Sequence, residues 1–510
     1  MTEQNLNPRT AKRAKLWMTG LFMLCFLYFL PRPGEWNQDS RLDTVFAIVN
    51  HGSPQVDQYR WNAIGDLTFY KGHYYEAKAP GQALSAIPIF AAYKAVLTLA
   101  GHRADAEQLG LGSEFHRLYF QFYVSQFLMS MYTVTIPAVA FLLLFFWFLG
   151  YFSSSFTNRM IVTIALGLAT NYFSYSQMFY PHVPAATLLF GSFMLLYIGG
   201  RGRQHGSPRA ARLERNPALP TFLAGLCLGG AVLFDHTAAV PGLVVGAYAL
   251  VRVPWKAWPF LVLGGLPGLL MIAGYDYAVY HNIGVTGYST DDVGVGGTAI
   301  ASRGHVLYPA ALWGLSFSPF RGLFFLSPFL LLAFPGLVMW IKRGGWEWLV
   351  CLAAPLLLFA FICTIFFWNG GTSIGPRYLI VTLPFLALPV VFVLDAVKSL
   401  PLRLGIYALI LISALNAWIQ TIATKGYPSE FIPNPLFDFA LPNVLHGNVA
   451  LSLGGVLLAP FVGIYSDWTL VPLLAVVLVW TWLCFRSSTP PRVPIQGRHV
   501  NRFPESSSTS

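Results

Sequence analysis

Apolar runs separated by short polar stretches dominate this chain. They recur near residues 16–30, 82–100, 117–151, 159–178, 183–200, 218–234, 237–251, 257–279, 323–341, 347–366, 378–395, 403–423, 448–465 and 468–485. Runs of about 17 to 25 apolar residues are long enough to cross a hydrocarbon core of roughly 30 Å as a helix. The pattern predicts an all-α, polytopic transmembrane bundle of about 13 spans, with residues 1–485 as a single domain and a disordered Ser/Pro-rich tail over 486–510. No internal repeat of 20 to 50 residues interrupts it.

Basic clusters orient the spans. Arg9, Lys12, Arg13 and Lys15 precede the first run, and the positive-inside rule puts that end in the cytoplasm. No small-residue cleavage site follows, which predicts a retained anchor. Residues 31–81 then form the first extracytoplasmic loop, with Arg201, Arg203, Arg209, Arg212 and Arg215 inside. For both to hold, 117–151 is expected to cross twice, as two short helices broken near Pro137. By the same parity, 448–465 is expected to be re-entrant or interfacial and the tail cytoplasmic. Residues 281–322 make a second large outer loop. The chain is expected in the plasma (inner) membrane.

Composition removes the main alternatives. Only 10% of the 510 residues are charged while 55% are hydrophobic, against about 25% charged in a soluble domain. The net charge of +11 is dispersed in short clusters between apolar runs, so it reads as membrane orientation, with no nucleic-acid partner. Cys25, Cys227, Cys351, Cys363 and Cys484 lie inside apolar runs without metal or redox spacing and read as packing. An ion-coupled transporter buries ionisable groups near helix midpoints; here Lys94 is almost alone in that position.

Polar residues instead collect on the outer side. Within 31–81, the stretch from Asp66 through Tyr70-Lys71-Gly72-His73-Tyr74-Tyr75-Glu76 to Lys78-Ala79-Pro80-Gly81 sets a carboxylate and a lysine beside the start of a span. That combination suits a reaction that removes a proton and stabilises a departing phosphate. The plainer reading is a juxtamembrane loop with a snorkelling Lys78 and an aromatic belt. A second stretch, Trp368 to Tyr378, is a glycine-rich turn ending at Arg377, whose guanidinium suits bidentate phosphate binding or simple interfacial anchoring. His182 and His236 suit binding of an acceptor, a phosphate or a metal, or a structural hydrogen bond, and Asp235 suits assisting the base or, more simply, a helix cap. Asp291-Asp292 and Gly294 to Gly297 read as a solvated or mobile loop.

These residues carry a family resemblance. Asn37, Ser40-Arg41, Gly52-Ser53, Asp57, Tyr59, Asp66, Gly72-His73-Tyr74-Tyr75 and Lys78-Ala79-Pro80-Gly81 resemble the first outer loop of bacterial GT-C membrane glycosyltransferases related to protein mannosyltransferases. Tyr180-Pro181-His182-Val183-Pro184, Leu315 to Leu323, and Gly375-Pro376-Arg377-Tyr378-Leu379 resemble later blocks in the same order. The resemblance implies inverting transfer from a polyprenyl-phosphate-linked sugar donor to an extracytoplasmic glycan, lipid or protein acceptor, with a first-loop carboxylate as base. The Asp-Glu pair usual in the mannosyltransferase branch is absent; Ser40-Arg41-Leu42-Asp43 stands there. The base is therefore expected among Asp66, Asp57 and, third, Asp43. Arg377, Lys78 and Arg41 are expected on the donor phosphate, and His73, Tyr74, Tyr75, His182 and His236 on substrate. Phosphate leaves readily, so no cofactor and no metal is expected. The rivals are a lipid-linked oligosaccharide flippase or other polytopic transporter, and a noncatalytic scaffold.

Overall fold

The computed structural model describes residues 8–30, 34–101, 115–200, 217–283, 285–287, 291–292, 305–423, 427–463 and 466–488. The basic cluster 201–215, the glycines 294–297 and the tail from 489 lie outside the described residues. The chain is mostly helical, as the apolar pattern predicts. Among the described residues, seven helices are long and apolar enough to cross a membrane: Gly81–Leu99, Gln121–Tyr151, His182–Gly200, Trp255–Tyr280, Arg377–Ala396, Leu400–Ile422 and Asp467–Arg486. Phe156–Leu168, Ala218–Phe234 and Trp348–Ile362 are shorter apolar helices. Others of the expected 13 spans are broken: 323–341 divides into Leu323–Leu326, Pro328–Leu332 and Ala333–Arg343, since Pro328 lacks the N–H that would continue the helix.

The expected double crossing near Pro137 is not found. Gln121–Tyr151 is one continuous helix of 31 residues, about 46 Å at 1.5 Å per residue. A π turn over Met131–Thr135 lies just before Pro137 and takes up its missing N–H and ring clash without ending the helix. One end meets the first loop, where Phe122 packs edge-on against Phe46 at 5.6 Å. The other reaches Tyr151, whose ring meets Tyr197 near the far end of His182–Gly200. Helix α3 (Gly81–Leu99) packs along α2 (Trp36–His51). Phe46 and Phe90 are 4.9 Å apart, and Lys94 donates to the Asn50 side chain. Lys94 thus stays in the α2 layer and is not a mid-bundle charge.

The segment from Gly34 to Gly81 is more ordered than its polarity predicts. Glu35 caps the start of α2, accepting from Gln38 N at 3.1 Å. Strands β1 (Leu67–Tyr70) and β2 (His73–Glu76) form a hairpin pairing Leu67 with Glu76 and Tyr70 with His73. Its two turn residues, Lys71 and Gly72, both have positive φ, 47° and 92°, the geometry that matches strand twist in a two-residue hairpin. Asp291–Asp292 forms β3 on the other edge of β1, paired where a solvated turn was expected.

Two packing features frame the bundle. Ala218–Phe234 and Trp258–Tyr280 meet through glycines: a Cβ on Gly229 would lie 2.3 Å from the Gly265 carbonyl oxygen, and one on Gly264 would lie 2.0 Å from that of Phe222. Small residues permit this backbone contact between apolar helices. Helix α1 (Pro8–Tyr28) packs on Leu470–Ser488, with Trp17 edge-on to Trp480 at 5.5 Å. Leu453–Val462 is a ten-residue helix, too short to cross.

Candidate active site

Helix α2 buries acids and a base together. Glu35, Asp39 and Asp43 recur at intervals of four, so they share one side of the helix. Arg41 donates from Nη1 to Asn37 Oδ1 at 2.5 Å and to the Asn37 carbonyl. Its Nε lies 3.3 Å from Glu76 Oε1, both side chains being buried. Glu76 ends β2. Burial pushes its pKa up to about 7, against the pull of Arg41 and Lys78. Because Leu67 pairs with Glu76, the residues just outside that rung meet, and Lys78 forms an ion pair with Asp66. Burial lowers the pKa of Lys78, which Asp66 partly restores.

The 368–377 turn reaches the same place. Gly370, Gly371 and Gly375 have φ of 76°, 63° and 61°, so a bulkier residue would be strained. Fully buried Arg321 holds the turn, donating to the carbonyls of Asn369 at 3.2 Å and Gly371 at 2.9 Å. Arg377 is 9% exposed. It donates to the hydroxyls of Tyr180 at 3.3 Å and Tyr378 at 3.5 Å, and its buried Nε has no hydrogen-bond partner. Among the described residues no carboxylate lies within ion-pair distance of it. Tyr180 donates in turn to Glu35 at 2.7 Å, and Glu35 lies within electrostatic reach of both Arg377 and Asp66. Burial raises the pKa of Glu35.

His182 stacks on Tyr180 at 5.8 Å and 21°, with Nδ1 2.7 Å from Asp235 Oδ2. Asp235 caps the turn His236–Ala238, accepting from Thr237 N at 3.0 Å. Burial opposes its ionisation, but the bonds from His182 and Thr237 pull its pKa to about 2.

Of the residues singled out from sequence, Asp66, Lys78, Arg41, Arg377 and His182 therefore gather in one network. Asp43 sits beside it but is fully buried, accepting from Asn62 Nδ2 at 2.8 Å, and burial raises its pKa well above the ordinary range. Asp57 lies outside: it accepts from Tyr74 N at 2.7 Å and pairs with His73 Nδ1 at 2.7 Å, clamping the hairpin. Tyr74 packs on Phe69 and Tyr75 near Tyr280, while His236 sits on the short turn beyond Asp235. Glu35, Glu76, Tyr180 and Arg321 received no individual role from the sequence. The available signal for Glu76 is a second acid two residues before Lys78. Among the described residues, no group of three or more His, Cys, Asp or Glu is arranged to hold a metal ion.

No protein-family model matches the chain, and no curated protein matches it. Among solved structures, the crystal structure of ArnT from Cupriavidus metallidurans in the apo state is similar, at 15% identity and a TM-score of 0.45, over 76% of this chain and 60% of that one. The chain thus spans less than two thirds of that structure's length.

Proposed function

We propose that this chain is a membrane glycosyltransferase of GT-C type, transferring a sugar with inversion from a polyprenyl-phosphate donor to an extracytoplasmic acceptor. The observation that carries the reading is Arg377: a buried guanidinium with only neutral tyrosine hydroxyls as partners and an unsatisfied Nε. Such a charge is costly to bury alone and is matched by an anion at the site. The lipid phosphate is that anion. Asp66, accessible and beside Lys78, suits the base better than enclosed Asp43 or hairpin-bound Asp57.

In this mechanism Asp66 takes the acceptor hydroxyl proton as that oxygen attacks the anomeric carbon. The bond from this carbon to the phosphate oxygen breaks on the opposite face, and the electron pair leaves with the lipid phosphate. Arg377 and Lys78 offset the charge developing on that phosphate. Glu76 fixes Arg41, Glu35 and Tyr180 fix Arg377, and Asp235 fixes the tautomer of His182. The topology that suits this reading has α2, α3, the hairpin and the 368–377 turn on the extracytoplasmic side of an inner membrane, with the N-terminus cytoplasmic. Mass spectrometry of lipid-linked sugars tests it: a polyprenyl-phosphate sugar should accumulate in a deletion strain and in strains carrying Asp66→Asn or Arg377→Lys. Wild-type sugar-lipid levels in all three would refute it.

A further inference from the structure

The first outer loop carries exposed aromatic surface that the network around Asp66 and Arg377 does not use. Trp61 is 67% exposed, Trp36 49% and Phe69 42%. They are not isolated. The Arg60 guanidinium lies 4.5 Å from the Trp61 ring centre and 5.5 Å from that of Tyr74, and Tyr74 packs on Phe69 at 5.0 Å. The half-exposed Asp57 and His73 pair borders Tyr74. At the other end, the Trp36 ring lies against Gly65, one residue before Asp66.

From this arrangement we propose that the Trp36, Trp61, Phe69 and Tyr74 surface is a saccharide-binding platform that seats the acceptor. The inference rests on the transferase reading and names its acceptor class as a carbohydrate chain. Flat, rigid aromatic faces offer large contact area to the C–H faces of sugar rings at small entropic cost. Asp57, His73 and Arg60 supply acceptors and donors for hydroxyls around those rings. A lipid-embedded belt has the aromatics without need of a clustered carboxylate, imidazole and guanidinium, and these charged groups favour a water-facing ligand. Trp36 lies against Gly65, one residue before Asp66, so a chain seated on Trp36 would present one end at Asp66.

The test uses the full-length protein in lipid nanodiscs and three linear hexasaccharides, cellohexaose, maltohexaose and α-1,6-mannohexaose, read by saturation-transfer NMR. At least one should bind the wild type. Trp61→Ala should weaken that binding at least fivefold, with Trp61→Phe restoring most of it. A nitroxide on Ile64→Cys should be more accessible to a water-soluble nickel chelate than to oxygen. No binding by any of the three sugars, equal binding by Trp61→Ala, or greater oxygen accessibility at position 64 would each overturn the platform. Those results leave the lipid-linked sugar accumulation test of the transferase reading untouched, so the two fail separately.

Discussion

Glu76→Gln probes the buried network without changing side-chain shape. Burial lifts the carboxyl from an ordinary 4.5 to about 7, a difference of about 2.5 pH units, or about 3 kcal/mol at 1.36 kcal/mol per unit. The folded protein holds the proton more tightly than the unfolded chain. Its contribution to stability is therefore present in full below pH 4.5 and is lost as pH rises through about 7. Gln cannot titrate, and its amide oxygen can occupy the place of Glu76 Oε1, 3.3 Å from Arg41 Nε. The variant should match wild type near pH 4.5 and exceed it by about 3 kcal/mol at pH 8. Asp39, raised by burial, titrates in both proteins and cancels in the difference, whereas Asp43, raised by burial and in part by the Glu76 charge, loses that part in the variant. Denaturant unfolding in detergent micelles at pH 5, 6, 7 and 8 measures this directly. Parallel pH profiles for the two proteins would show that Glu76 keeps an ordinary carboxyl pKa and that its burial beside Arg41 has been misjudged.

The remaining predictions concern the reaction and the bundle. Asp66→Asn should lower transfer by about 100-fold or more, the usual scale of general-base loss, whereas Asp57→Asn should weaken the hairpin by about 1 to 3 kcal/mol and spare the chemical step; turnover of a polyprenyl-phosphate sugar compared with thermal unfolding separates them. Arg377→Lys keeps the charge but loses the planar fork, and should cost transfer about 1.5 to 3 kcal/mol; unchanged turnover at normal expression would make Arg377 an anchor. Gly229→Ala drives a Cβ toward the Gly265 carbonyl oxygen at 2.3 Å, and should destabilise the bundle by about 1 to 3 kcal/mol, seen as a lower melting temperature with Asp66 and Arg377 intact.

The helical bundle is legible because apolar runs long enough to span must be helical whether they face lipid or one another. The same property hides the rest. An apolar run does not reveal where it pairs, so α3 reads like any other span, and Pro137 reads as a break because no periodicity shows that a π turn precedes it. Helix α2 is invisible for the opposite reason. Gln38, Asp39, Ser40, Arg41 and Asp43 look solvated, yet all are buried, since overlying segments bury them after the helix forms. Within the site, Asp66 with Lys78 is readable as a pair, and Arg377 as its companion from the resemblance. The choice between Asp57 and Asp66 depends on hairpin register, which turns Asp57 back onto Tyr74 and His73. Tyr180 lies 197 positions from Arg377 and Glu35, which accepts from Tyr180, another 145, beyond any local pattern.

The contact between α1 and Leu470–Ser488 has a consequence for how the molecule is made. Gly20 leaves room for the Trp480 indole, Tyr28 donates to the Thr469 carbonyl, and Phe29 bridges to Ser452. Helix α1 therefore waits, one side unclaimed, until a partner 441 positions later in the chain has been synthesised. Docking of these two helices is a late act of assembly, and a chain cut before Leu470 would keep every residue assigned to transfer yet display an unpaired face of α1 to the membrane's proteases. Abundance, more than chemistry, would register the loss.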